Sequence, residues 1–288
     1  MRQVLFTIPG LGVSVFGYGA MLVLAFVTST WLACWRARRE KLDPEAVLDM
    51  AFWLFAGGLI GGRLFYCYQY WGRGIDSLLE VFQYWKGGLV FYGGIFGGFL
   101  SFLIYCRRRN LPVRPFMDAL TPSIAVGTLF GRLGCFLNGC CYGDVCRLPW
   151  AVSFPQHSPA WENETRLGMI PADALHSLPL HPTQVYSALD AFILLILLTA
   201  YYPLRRRDGE VFGVLLLTYP ITRFLIEFLR NDEPIFFMGL TISQNISIGL
   251  LLISAAYWFW LSRYPKGRYA DTAIGSLEGR PVVSTVAP

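Results

Sequence analysis

The chain has 288 residues, 55% of them hydrophobic and only 15% charged, whereas a soluble domain carries about a quarter charged residues. That balance excludes an ordinary soluble globular protein and points to a polytopic membrane protein. The net charge of +5 sits in clusters between apolar runs, so it reads as a topology signal rather than a nucleic-acid surface.

An apolar stretch of roughly 20 residues crosses a bilayer. Seven such stretches follow in chain order, at about 13 to 35, 47 to 69, 88 to 106, 116 to 138, 182 to 203, 211 to 230 and 243 to 262. The opening MRQVLFTIPGLG lacks the charged, apolar and small-residue regions of a cleaved leader, so the first stretch is expected to stay in the protein. Basic residues follow the first span (Arg36, Arg38, Arg39, Lys41), the third (Arg107, Arg108, Arg109, Arg114), the fifth (Arg205 to Arg207) and the seventh (Arg263, Lys266, Arg268). The alternate loops are poor in them, which places the N-terminus outside and the C-terminus in the cytoplasm. The expected fold is all-α, with seven transmembrane helices forming one polytopic domain over residues 1–263. A small cap over about 139–182 covers the outer mouth between helices four and five. The polar, small-residue stretch 264–288 reads as a structureless cytoplasmic tail. His157 and His176 in the cap read as surface residues.

With this topology the polar residues inside the spans all fall toward the outer side. They are Arg63 in the second span, Tyr92 in the third, Arg132 and Asn138 in the fourth, His181 and Gln184 opening the fifth, and Arg223 and Glu227 in the sixth. Gln244 and Asn245 start the seventh, and Tyr18 of the first span is placed to join them. An ionisable group in the hydrocarbon is costly unless it faces protein, water or a partner, so each is a functional candidate. Arg223, Glu227 and Arg230 share one helical face, which fits a structural ion pair as well as a site. Arg63 and Arg132 have no acid nearby in their own spans. An excess of positive charge at that depth suits an anionic ligand, and arginine binds phosphate oxygens through a planar fork. The glycine runs AGGLIGGRLFY and KGGLVFYGGIFGG read mainly as close helix packing.

The segment GRLGCFLNGCCYGDVC places Cys135, Cys140, Cys141 and Cys146 at the outer end of the fourth span. Their spacing is no standard zinc pattern and contains no CxxC. A structural disulfide leads over free buried thiols, with three pairings open. No metal and no cofactor is expected, and Cys34, Cys67 and Cys106 read as apolar filler.

The stretches GRLGCFLNGCCYG, HPTQVY and YPITRFLIEFLR, in this order, with GGRLFY and GGLVFYGG before them, resemble the bacterial phosphatidylglycerol–prolipoprotein diacylglyceryl transferases from about Tyr18 to Ser262. The resemblance implies an inner-membrane enzyme with its site toward the periplasm. Its partners would be phosphatidylglycerol, the signal peptide of a prolipoprotein with its lipobox cysteine, and the surrounding membrane lipids. The enzyme would move the diacylglyceryl group to the cysteine thiol and release glycerol phosphate. It implies roles for Arg132 and Arg223 as essential arginines, for Asn138 and Gly143 of the signature, for Tyr18, and for the Glu227–Arg230 pair. Four positions depart: Tyr92 stands where the family has a histidine, Cys135 and Cys140 where it has asparagine and glutamate, and Ser187 where it has glutamate. Tyrosine, with a reference pKa near 10, is a poor base at neutral pH unless the arginines lower that value, so either Tyr92 only orients the substrate or another group accepts the proton. The lost histidine leaves a second reading, a non-catalytic membrane protein that binds or transports an anionic lipid or solute. A membrane thiol oxidoreductase rests on the cysteines alone.

Overall fold

A computed structural model of the chain describes residues 3–7, 14–71, 78–83, 88–230 and 235–271. Eight α-helices are present among them: α1 (Gly17–Arg39), α2 (Pro44–Tyr70), α3 (Phe91–Arg108), α4 (Val113–Asn138), α5 (Pro159–Arg166), α6 (Thr183–Tyr201), α7 (Glu210–Glu227) and α8 (Ile242–Ser262). Strand pairing among the described residues is confined to two hairpins, β1 (Val4–Thr7) with β2 (Ser14–Phe16) and β3 (Ile235–Phe237) with β4 (Leu240–Thr241), and to isolated bridges. Five helices are long and apolar enough to cross a membrane: α1, α2, α4, α6 with the turn after it, and α8. The expected third and sixth spans are also helices, α3 and α7, each of 18 residues and each carrying charged side chains. Large apolar side chains such as Trp31, Phe52, Phe96 and Leu252 are outward and exposed, which water would penalise and lipid does not. The protein is a multi-pass membrane protein.

The chain divides into two compact units, residues 33–117 and residues 1–32 with 118–288. In the first, α2 starts at Pro44 behind Asp43, whose carboxylate accepts from the Glu45 amide at 2.9 Å, an N-cap followed by proline at the first helical position. α2 and α3 cross through their glycines. A Cβ on Gly61 would lie 2.8 Å from the Gly97 Cα, and one on Gly57 would lie 2.8 Å from the Gly97 carbonyl oxygen. The two glycine runs are therefore a close helix contact.

The second unit has its apolar core where Ala125 of α4, Leu194 and Leu198 of α6, Tyr202, and Val211 and Leu215 of α7 pack together. Asp118, fully buried near the start of α4, accepts from the amides of Gly209 (2.7 Å) and Phe212 (3.0 Å) and faces Arg205 at 3.6 Å. It thereby satisfies amide donors at the start of α7. α8 opens on a capping box between Thr241 and Gln244. The segment 139–182 is folded around Phe154, Ala160 and Leu180. Within it α5 is capped by Ser158, and His157 and His176 are exposed. Part of the stretch expected as a tail is held: the Tyr269 amide donates to Asp208 at 2.7 Å and the Gly267 amide to the Arg206 carbonyl at 3.0 Å. The rest of that expectation, residues 272–288, lies outside the described residues.

Candidate active site

α4 ends as its sequence dictates. Gly139, at φ 77°, takes the left-handed turn after Asn138. The Cys140 amide donates to the Cys135 carbonyl (3.1 Å) and the Gly139 amide to the Phe136 carbonyl (3.3 Å), the paired bonds of a Schellman stop. Cys141 follows at φ 60°, a left-handed conformation that non-glycine residues seldom adopt. The reversal turns the chain back on the end of the helix.

The start of α6 fixes this turn from the other side. The Gln184 side-chain amide, fully buried, donates to the Cys140 carbonyl at 2.8 Å, and the Thr183 hydroxyl donates to the Cys141 carbonyl at 2.8 Å. The Gly143 amide donates to the His181 carbonyl at 2.9 Å, and the Asp144 amide to the Leu229 carbonyl at 3.0 Å. A Cβ on Gly143 would meet the Leu229 carbonyl oxygen, and would lie 2.7 Å from both the His181 Cβ and the Thr183 Cγ2. The closing glycine of the motif is thus the point where the ends of α4, α6 and α7 converge, and the reason is steric. The His181 Nδ1 lies 3.3 Å from the Tyr186 hydroxyl, which accepts from the Trp150 indole at 2.7 Å.

On α7, the Arg223 guanidinium pairs with Glu227 at 2.7 Å and donates to the Ser243 hydroxyl at 2.8 Å. Glu227 is buried, accepts from the Thr241 hydroxyl at 3.2 Å, and has the Arg230 Nε at 3.8 Å. Both arginines of this face therefore neutralise one carboxylate.

Arg132 differs. It is half-buried on α4 and makes no hydrogen bond or ion pair among the described residues. It bears electrostatically on Asp190 of α6, Tyr18 of α1 and Cys141. Asp190 accepts from the Thr222 hydroxyl at 3.0 Å. Sequence reasoning passed over Asp190, although a carboxylate inside an apolar span was the signal for it. Tyr18 packs over Gly134, two residues past Arg132 toward the helix end, with its Cδ2 3.1 Å from where a Cβ would stand.

Among the sites expected from sequence, the second unit thus brings together Tyr18, Arg132, Asn138 and Gly143 with His181 and Gln184, and Gly143 bridges to Arg230 beside the Arg223–Glu227 pair. Arg63 and Tyr92 belong to the other unit. There the buried Arg63 donates from Nε to the Val81 carbonyl (3.0 Å) and from its terminal nitrogens to the carbonyls of Gly88 (3.0 Å), Glu80 (2.6 Å) and Gln83 (3.3 Å). Main-chain oxygens do for Arg63 what an anion was expected to do. Tyr92 lies in the first turn of α3, half-buried.

The expected disulfide is not formed: all seven cysteines are free thiols. The sulfurs of Cys135, Cys140 and Cys141 lie within 4.8 Å of one another. Cys146 is buried and accepts from the Leu148 amide at 3.4 Å. Contact with the Cys135 and Cys140 thiols, reinforced by the charges of Arg230 and Arg132, holds the Cys141 thiol below the ordinary thiol range.

The profile of the family described as prolipoprotein diacylglyceryl transferase matches residues 3–260. The chain is 34% identical over 266 residues to a phosphatidylglycerol–prolipoprotein diacylglyceryl transferase of Clostridium tetani, covering 92% of this chain and 100% of that protein. It is 32% identical to the enzyme of the same name from Vibrio atlanticus over 90% of each. With that of Rhodopirellula baltica it shares 46% identity over 51% of this chain and 31% of the other. A match along nearly the whole chain shows that the chain belongs to the prolipoprotein diacylglyceryl transferase family.

Proposed function

We propose that the protein moves the diacylglyceryl group of phosphatidylglycerol to the lipobox cysteine thiol of a prolipoprotein, at the outer face of the bacterial inner membrane, with release of glycerol phosphate. The observation that carries this reading is Arg132, an arginine on a membrane-spanning helix with no ion pair or hydrogen bond among the described residues. A guanidinium at that depth that Asp190 influences without pairing to it is stabilised by a further anion, and a lipid phosphate is the anion the membrane supplies. Family membership supports the substrates, and the loop charges support seven spans with the N-terminus outside.

In this account Arg132 engages the phosphate bidentately and tightens on it as negative charge develops on the departing glycerol phosphate, so its contribution is larger in the transition state than in the bound lipid. The attacking group is the thiolate of the incoming cysteine, whose proton must leave before or during attack. The new bond joins that sulfur to the glyceryl carbon, and the carbon–oxygen bond to phosphate breaks. Asn138 and Tyr18 flank the same end of α4 and are placed to orient the head group. Arg223 and Arg230 hold Glu227 and, through Gly143, the shape of the wall.

The test is transfer by the purified chain in vesicles containing phosphatidylglycerol, with a prolipoprotein peptide as acceptor. A peptide gaining the diacylglyceryl mass together with stoichiometric glycerol phosphate is expected. Saturable binding of phosphatidylglycerol with no product would overturn the transferase reading in favour of an anionic-lipid binding protein.

A further inference from the structure

The function proposed above gives no task to the three thiols at the end of α4. We infer that Cys135, Cys140 and Cys141 form a binding site for a thiophilic d10 metal cation, zinc(II) or copper(I), built into the wall beside Arg132.

The geometry is that of a cage rather than of a sequence motif. The three sulfurs lie within 4.8 Å of one another. Thiolates bonded at about 2.3 Å to a tetrahedral zinc stand about 3.8 Å apart, so they need close by only about 1 Å. The ligands come from two places in the chain. Cys135 is on the last turn of α4, and Cys140 and Cys141 lie past the stop, folded back by left-handed residues at Gly139 (φ 77°) and Cys141 (φ 60°). A non-glycine residue held in that region costs of order 1 kcal/mol, and here it turns a third sulfur toward the other two. The backbone of the outer pair is fixed by Gln184 on the Cys140 carbonyl and Thr183 on the Cys141 carbonyl, each at 2.8 Å. Support of this kind orients ligands before a metal arrives.

The chemistry selects the cation. Three sulfurs with no carboxylate in the cluster exclude hard ions and favour zinc(II) or copper(I). A trigonal copper(I) is complete with three thiolates, whereas zinc would take a water in its fourth position. Each thiol gives up its proton to solvent on binding, no electron is transferred, and the resulting cluster is net negative. Arg132 and Arg230, the cationic neighbours of Cys141, supply the opposite charge. A disulfide would join only two of the three sulfurs at about 2.05 Å and strand the third. The cluster is half-buried, open enough for a cation to enter.

The experiment uses the full chain purified in detergent under reducing conditions, stripped with a chelator, and loaded in separate arms with zinc(II) or with copper(I) under anaerobic conditions. Metal is counted by elemental mass spectrometry after desalting, and loading with cadmium(II) gives sulfur-to-metal charge-transfer absorption. One equivalent bound in either arm is expected, with Cys141→Ser weakening it by about 100-fold or more and Cys67→Ser, outside the cluster, leaving it unchanged. Should Cys141→Ser fail to fold, the wild-type chain gives the same answer: bound metal protects Cys135, Cys140 and Cys141 from alkylation while the other cysteines react as before. Substoichiometric loading in both arms, loading indifferent to Cys141→Ser, or a disulfide within the trio in the chain as isolated from cells would overturn the site. None of these readings involves transfer, so the metal site and the transferase activity stand or fall separately.

Discussion

Arg63, Arg223 and Arg132 each fall within an apolar span and have three different fates in the fold. Arg63 spends its donors on the carbonyls of residues 80, 81, 83 and 88, contacts made from 17 to 25 residues away that no helical spacing announces. The Arg223–Glu227 pair was legible, because an i, i+4 spacing puts both on one face; its ties to Ser243 and Thr241 on the next element were not. The structural role of Arg223 yields a prediction. Arg223→Gln removes the nearer of the two arginines that face the buried Glu227, and breaking a buried pair from one side costs about 3 kcal/mol. Thermal unfolding in detergent is expected to fall accordingly, and Arg223→Gln with Glu227→Gln to recover part of the loss, since neither charge is then stranded. Unchanged unfolding with lost transfer would instead assign Arg223 to the substrate.

At the level of elements, the sequence located the long helices to within a few residues, because apolar length is a strong signal. It also placed the end of the fourth span at 138, where α4 stops. The short hairpins were missed, since two to four residues per strand carry no period. The cysteine trio was missed because it depends on a left-handed Cys141, which sequence does not announce. The cap carries its own prediction. Glu164 of α5 is buried, and its Oε2 accepts from the Leu178 amide at 2.8 Å. Burial nevertheless raises its carboxyl above the usual carboxylate range, the amide bond opposing this only in part. A raised pKa means the folded cap holds the proton more tightly than the unfolded chain does. That stability is fully present below the unfolded value and is lost as pH rises through the folded one. Amide exchange across residues 154–180, corrected for intrinsic rate, should therefore show stronger protection near pH 4 than near pH 8. Glu164→Gln should keep the acid-side protection at both. Protection in the wild type that grows with pH would mean that the charged form is the favoured one.

Across the whole molecule, the composition gave the class of protein, and the loop charges gave an orientation that remains this account's proposal. The electrostatic balance inside the helices adds what composition could not. Of the arginines assigned to the spans, Arg63 is held by carbonyls, Arg223 pairs with Glu227, and Arg132 keeps its guanidinium unpaired among the described residues. An arginine with no ion pair among the described residues, near Tyr18 and Asp190, is what the proposed phosphate contact requires. The most direct measurement is turnover of Arg132→Gln and Arg132→Lys in the vesicle transfer assay, with phosphatidylglycerol affinity measured in parallel. If Arg132 holds the phosphate as it departs, kcat should fall by about 100-fold or more in Arg132→Gln. Lysine, which keeps the charge without the fork, should recover only part, while lipid affinity changes much less. Near-normal turnover by well-folded Arg132→Gln would contradict the account.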